Sequence, residues 1–288
     1  MTTVPDAAPD AAPPRGLTWR LTDRTVEDVR LEADALPERP APGALVGGSG
    51  RGVRVCVVDS GVDGTHPLVG AVAGAHVVRK DEDGTIRVDP LKADDRGDLC
   101  GHGTACAGIV RRVAPDCEIH SVRVLGERFS GTGDVLLAGL RWAIREGFEV
   151  INLSLSTTRT RFFEGLHTLA DEAYFGRSVI VASAHNTPVE SFPWRFSSVV
   201  SVGSHLEEDP DLHLYNPEPP VEFFGPGANV EVAWLGGGTV RSSGNSYATP
   251  FVAGLCARIL SERPRLTPFQ LKHALYLSAA NVHLGGDR

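Results

Sequence analysis

The sequence lacks several things that would assign it to simpler classes. No apolar run approaches the roughly 20 residues needed to span a bilayer, so no membrane partner is expected. The N-terminus, MTTVPDAAPDAAPPRG, has neither a basic start nor an apolar segment, which predicts a cytoplasmic protein rather than a secreted one. Basic residues are outnumbered, 28 Lys and Arg against 36 Asp and Glu. The formal charge of -8 leaves no basic footprint for nucleic acid, so none is expected as a partner. Cysteine is sparse and odd in number: Cys56, Cys100, Cys106, Cys117 and Cys256. Their spacing matches neither a disulfide framework nor a zinc motif, so they read as reduced, buried thiols. No internal repeat is visible.

What remains is a chain long enough to bury a sizeable core. The Ala-, Pro- and Asp-rich residues 1–16 should not form a packed structure. Short elements are possible over residues 17–50, ending in a linker, ERPAPGALVGGSGRG. This gives an N-terminal extension, 1–50, before a main domain, 51–288. Within the main domain, VRVCVVD, EIHSVRVL, EVINLSLS, SVIVASA and SSVVSVGS are short β-branched runs that suit buried parallel strands. HGTACAGIVRR, Asp134 to Glu146, and ATPFVAGLCARIL read as helices. Thr267 and Pro268 look like an N-cap followed by proline at the first helical position. Strands alternating with helices predict an α/β fold: three layers, with a mostly parallel central sheet flanked by helices. In such folds the site lies beyond the carboxyl ends of the strands.

Three segments fall there. VVDSGVD puts Asp59 at the end of the first strand, GHGTACAG puts His102 at a helix start, and SGNSYATPFVAG puts Ser246 at another. Each alone has an ordinary reading: a turn aspartate, a polar residue opening a helix, an N-cap serine. Together they supply a hydroxyl nucleophile, a base to take its proton and a carboxylate to orient the base. An α/β-hydrolase elbow, G-x-S-x-G, is excluded because Ala248 occupies the last position.

These motifs, in the order Asp, His, Ser, resemble those of subtilases, the subtilisin-like serine proteases of peptidase family S8. The resemblance runs from about Val53 to about Ala280 and implies the subtilisin-like fold. It also implies a serine endopeptidase acting through an acyl-enzyme, with Asp59, His102 and Ser246 as triad. Asn186 matches the family's oxyanion asparagine. Ser130, Gly131 and Thr132 on one side, and Ser154, Leu155 and Ser156 on the other, match segments that pair with substrate backbone. The implied partner is a peptide or protein substrate and the expected state a monomer.

Departures from the pattern are Asn245 where Thr is usual, Tyr247 where Met is common, His185 and Ser156 in place of Gly, and Phe251 in place of His. They are expected to crowd the site and its primary specificity pocket, His185 and Ser156 lying against the substrate. The stretch from Asn186 to Pro193 is shorter than in subtilisin. Two alternatives stay open on the same fold: a peptide ligase or macrocyclase, and a catalytically impaired peptide-binding homologue.

Cys100 and Cys106 flank His102, either as small buried residues or close enough for thiol reagents to inhibit. Asp94, Asp95 and Asp98 form either a solvated loop or an acidic rim favouring basic substrates. Leu36 to Pro40 lies either on the surface or along the cleft. Many subtilases hold calcium in a loop inserted after the histidine motif. Here His102 runs on to Arg112 without an oxygen-rich insertion, so no cofactor and no tight calcium site are expected. A weak site near Asp81, Glu82 and Asp83 stays possible.

Overall fold

A computed structural model describes residues 47–282 except Ala93, Glu208 and Pro210. The expectations for the N-terminal extension and for Leu36 to Pro40 concern residues 1–46, outside the described residues. All described residues fall within one compact unit, Pro37–Arg288.

Eleven strands and five α-helices are described. In chain order they are β1 (Arg54–Asp59), β2 (Gly74–Lys80), β3 (Ile86–Pro90), α1 (His102–Val113), β4 (Glu118–Arg123), α2 (Gly133–Arg145), β5 (Val150–Leu153), α3 (Phe163–Phe175), β6 (Val179–Ser183), β7 (Val200–His205), β8 (Leu214–Tyr215), β9 (Phe223–Pro226), β10 (Val230–Ala233), β11 (Thr239–Ser242), α4 (Asn245–Glu262) and α5 (Pro268–Ser278). Nine strands make one sheet in the order β3-β2-β4-β1-β5-β6-β7-β9-β8. Its seven inner strands are parallel, and β3 and β8 pair antiparallel at the two edges. β10 and β11 form a separate hairpin.

β1 and β5 are continuous buried runs because helices cover both faces of a parallel sheet. α2 and α3 pack on one face, where Leu136, Leu140, Leu166 and Leu169 join Val58, Ile151 and Ile180 in a common core. α1 and α4 pack together against the sheet. Small residues allow that approach: a Cβ on Gly254 would come within 2.6 Å of Val113 Cβ. α4 is apolar nearly all round and buried from Tyr247 to Ala257. The Thr267 cap on α5 is a full capping box with Gln270.

The predicted linker over residues 38–52 is no free tether at its described end. Arg258 Nε donates to the Gly48 carbonyl at 2.7 Å, Ser261 Oγ accepts from the Gly50 N–H at 3.2 Å, and the Asp116 N–H reaches the Ser49 carbonyl at 3.0 Å. Among the described residues no helix is long and apolar enough to cross a membrane.

Candidate active site

β1, β4, β5 and β6 are parallel neighbours, so their carboxyl ends open on one edge of the sheet. β1 ends on Asp59, which is wholly buried. Its carboxylate receives the Ser60 N–H at 2.7 Å and contacts His102 Nδ1 at 2.8 and 2.9 Å. His102 opens α1 behind Gly101, whose φ of +89° suits glycine; a Cβ there would also strike the Trp234 ring at 2.9 Å.

A second carboxylate locks this pair together. Buried Asp98 accepts from Ser60 Oγ (2.8 Å), the N–H groups of Cys100 (3.0 Å), Gly101 (2.9 Å) and Thr104 (2.9 Å), and Thr104 Oγ1 (2.6 Å). Ser60 Oγ in turn receives the Gly103 N–H at 2.9 Å. The end of β1 and the start of α1 are thereby held by one carboxylate that accepts from five donors. Burial alone pushes the His102 pKa down; the charge and hydrogen bond of Asp59, with a contribution from Asp98, outweigh it and leave the pKa raised.

Ser246 sits in the first turn of α4. Pro250, four residues on, has no N–H for the Ser246 carbonyl. Ser154 Oγ donates to that carbonyl instead, at 2.9 Å, with Cys106 Sγ at 3.6 Å. Proline inside the helix thus frees the group that ties the nucleophile's turn to the segment leaving β5. Asn186, beyond β6, accepts the Asn245 N–H on its Oδ1 at 2.9 Å, which leaves its amide N–H groups to point elsewhere. A Cβ added to Gly244 would lie 3.2 Å from Ser246 Oγ and 3.4 Å from Asn186 Nδ2. Nucleophile and amide therefore flank one point, next to the positive dipole end of α4.

His102, Ser246, Asn186 and His185 line one cleft of about 350 Å³ with Ser154, Leu155 and Ser156. No hydrogen bond joins Ser246 Oγ to His102; such contacts are commonly long in unliganded enzymes and tighten around the substrate. Ser130, Gly131 and Thr132 face Leu155 and Ser156 across an adjoining groove of about 210 Å³.

Several expectations change in detail. Residues 130–132 belong to no strand, and the Thr132 side chain caps α2 through the Val135 N–H. The Ser154 side chain anchors α4, so only its backbone is left for a substrate. Phe251 is buried in α4 against the Gly225 backbone and does not line the cleft. Of Asp94, Asp95 and Asp98, Asp98 points inward and Asp95 pairs with Arg79 at 2.8 Å, which leaves Asp94 exposed. All five thiols are free and buried. Burial, reinforced by Asp59, pushes the Cys106 thiol well above its ordinary pKa, so it is a poor nucleophile.

Asn245 escaped the sequence reading as a functional residue. Its Oδ1 accepts the Ser204 N–H at 2.9 Å, and its Nδ2 donates to the carbonyls of Ala184 (3.2 Å) and His185 (3.3 Å). It clamps the α4 start to β7 and to the segment carrying Asn186. Asparagine was visible there only as a departure from threonine.

The sequence profile of the Subtilase family matches residues 50–287. The chain belongs to the subtilase family. It is 30% identical to Subtilisin E of Bacillus subtilis (strain 168) over 258 residues, 84% of this chain and 63% of that protein. It is also 30% identical to a subtilisin of Bacillus pumilus, covering 84% of this chain and 88% of that one. Among solved structures, it resembles a cold adapted subtilisin-like serine proteinase (TM-score 0.62, 29% identity, 79% of this chain and 82% of the other). Sphericase is similar at TM-score 0.64 and 26% identity, covering 79% and 83%. The subtilisin-like α/β fold stands on these likenesses.

Calcium, which the family resemblance raises, does not fit where an inserted loop would hold it. α1 runs unbroken to Val113, and Arg111 gathers the carbonyls of Val69 (2.9 Å), Ala71 (3.4 Å), Pro115 (2.8 Å) and Cys117 (2.8 Å). These carbonyls already accept from a guanidinium. In the acidic turn, Asp81 pairs with Arg87 at 2.9 Å and Asp83 caps the Thr85 N–H at 2.9 Å.

Proposed function

We propose that this subtilase is a serine endopeptidase that performs limited processing of a peptide or protein substrate. The observation that carries the reading is the convergence of a buried Asp59–His102 pair, Ser246 and Asn186 on one cleft. Ser246 Oγ attacks the scissile carbonyl while His102 takes its proton. Asp59 holds the imidazole through Nδ1–H and stabilises the imidazolium. Negative charge on the former carbonyl oxygen is met by the Asn186 amide and the Ser246 N–H. His102 then returns the proton to the leaving amine, and water releases the acyl group from Ser246. Extended substrate binding is supported by the absence of backbone partners for Gly131, Leu155 and Ser156 among the described residues. These are free edges suited to strand addition. The five unpaired thiols support a reducing, cytoplasmic setting.

The test is labelling with a fluorophosphonate probe, followed by cleavage of a peptide library with products identified by mass spectrometry. Ser246→Ala should abolish labelling and lower kcat by several orders of magnitude while the fold persists. Full cleavage by purified Ser246→Ala overturns the assignment, and joined rather than hydrolysed products would make the enzyme a ligase.

A further inference from the structure

Phe129 stands out at the rim of the cleft. It is 53% exposed, a large ring left in water directly beside the catalytic groups. Its φ is +51°, in the left-handed region that a bulky residue rarely occupies. The turn that holds it is closed by the Gly126 N–H on the Ser130 carbonyl at 2.9 Å. Its ring meets the His102 imidazole edge-on, 6.2 Å between centroids and 84° between planes. It borders both the catalytic cleft and the groove between residues 130–133 and 155–157. An unfavourable backbone that places an apolar ring in water is characteristic of recognition sites, where a ligand supplies what the free protein lacks.

The position of the ring defines what it meets. A peptide paired with the free edge at residues 154–156, its scissile carbonyl between Ser246 and Asn186, alternates its side chains. The side chain just before the scissile bond enters the space bounded by Leu155, Ser156, Ala184 and His185. The one before that turns to the opposite wall, formed by His102, Leu125 and Phe129. We propose that Phe129 is a specificity-determining residue that selects an aliphatic side chain two positions before the scissile bond. This rests on the peptidase reading above. Such a side chain covers the Phe129 ring and removes water from the outer edge of His102.

The experiment compares two peptides identical except for Leu or Gly at that second position, with the wild type, Phe129→Tyr, Phe129→Gly and Phe129→Asn. Gly and Asn both tolerate positive φ, so either truncation can stand if the other fails to fold. The wild type should favour the Leu peptide about tenfold in kcat/KM, in line with partial burial of one apolar side chain. Phe129→Tyr should keep that preference, and the truncated variants should bring it to about twofold or less. An equal Leu-to-Gly ratio in the wild type and a folded truncation overturns the proposal and leaves the peptidase reading intact. Failure of the wild type to cleave or acylate with either peptide sinks both.

Discussion

At the scale of single residues, the proposed oxyanion site depends on a side chain that does not line the cleft. Asn186 reaches the developing charge only if the segment after β6 keeps its distance from the first turn of α4. Asn245 sets that distance with three side-chain hydrogen bonds, while its own N–H fixes the Asn186 carbonyl end. Asn245→Ala removes the clamp and keeps the N–H. Displacement of a donor by a fraction of an ångström is felt in the transition state more than in the bound substrate. The variant should therefore lose roughly 10- to 100-fold in kcat with little change in KM. Steady-state kinetics on a single peptide decide it. A loss confined to KM, or a loss matched by global unfolding in a thermal melt, would show that Asn245 supports binding or folding only. Nothing near Asn245 in sequence announced this role, because its partners Ser204, Ala184 and His185 meet it only after the sheet has formed. The proposed triad stands out in the sequence for the opposite reason: each member sits at the end of a strand or the start of a helix with a strong local signal, and the chemistry demands those residue types.

At the scale of elements, the same contrast holds. β1, β4, β5, β6 and β7 were readable because burial on both faces demands unbroken β-branched runs. α3 was not, because it opens without a capping side chain, after an Arg- and Thr-rich stretch, and its buried Leu166, Leu169, Ala170 and Ala173 are a modest stripe. β2 and β3 were missed because they lie at one side of the sheet and bury little beyond Val77 and Val78. At the end of α1 the role of Arg111 was invisible in the sequence: its four carbonyl partners come from segments on either side of the helix. A half-buried guanidinium bonded to several carbonyls ties the junction together. Arg111→Ala should cost about 2 kcal/mol, since hydrogen bonds to a charged group are lost. In a chain of this size that lowers Tm by roughly 3 °C. EDTA should leave the wild-type Tm unchanged; a large fall on chelation would reveal a structural ion, which stabilises by mass action.

At the scale of the whole molecule, histidines divide the acid range into two windows. His76, His120 and His213 all have pKa values below the ordinary 6.5, in each case chiefly because burial disfavours the charged ring. Glu146 near His76, and Glu118 and Glu149 near His120, oppose the shift without reversing it. For such groups the folded state binds fewer protons than the unfolded chain, so stability is intact above the unfolded value. It declines as pH falls below about 6.5 and through the lower folded values. His102 moves the other way: with Asp59 beside it, its pKa is raised, and it acts as a base only when neutral. Its acid limb should therefore lie above 6.5, where the other three rings are still neutral and the fold has lost nothing on their account. Lowering the pH should first remove activity reversibly, with kcat/KM falling through a limb above 6.5. Only at lower pH should Tm decline. Parallel pH profiles of kcat/KM and Tm check this. Coincident losses on the acid side, or an activity limb below that of the melt, would mean that inactivation is unfolding rather than protonation of the catalytic base.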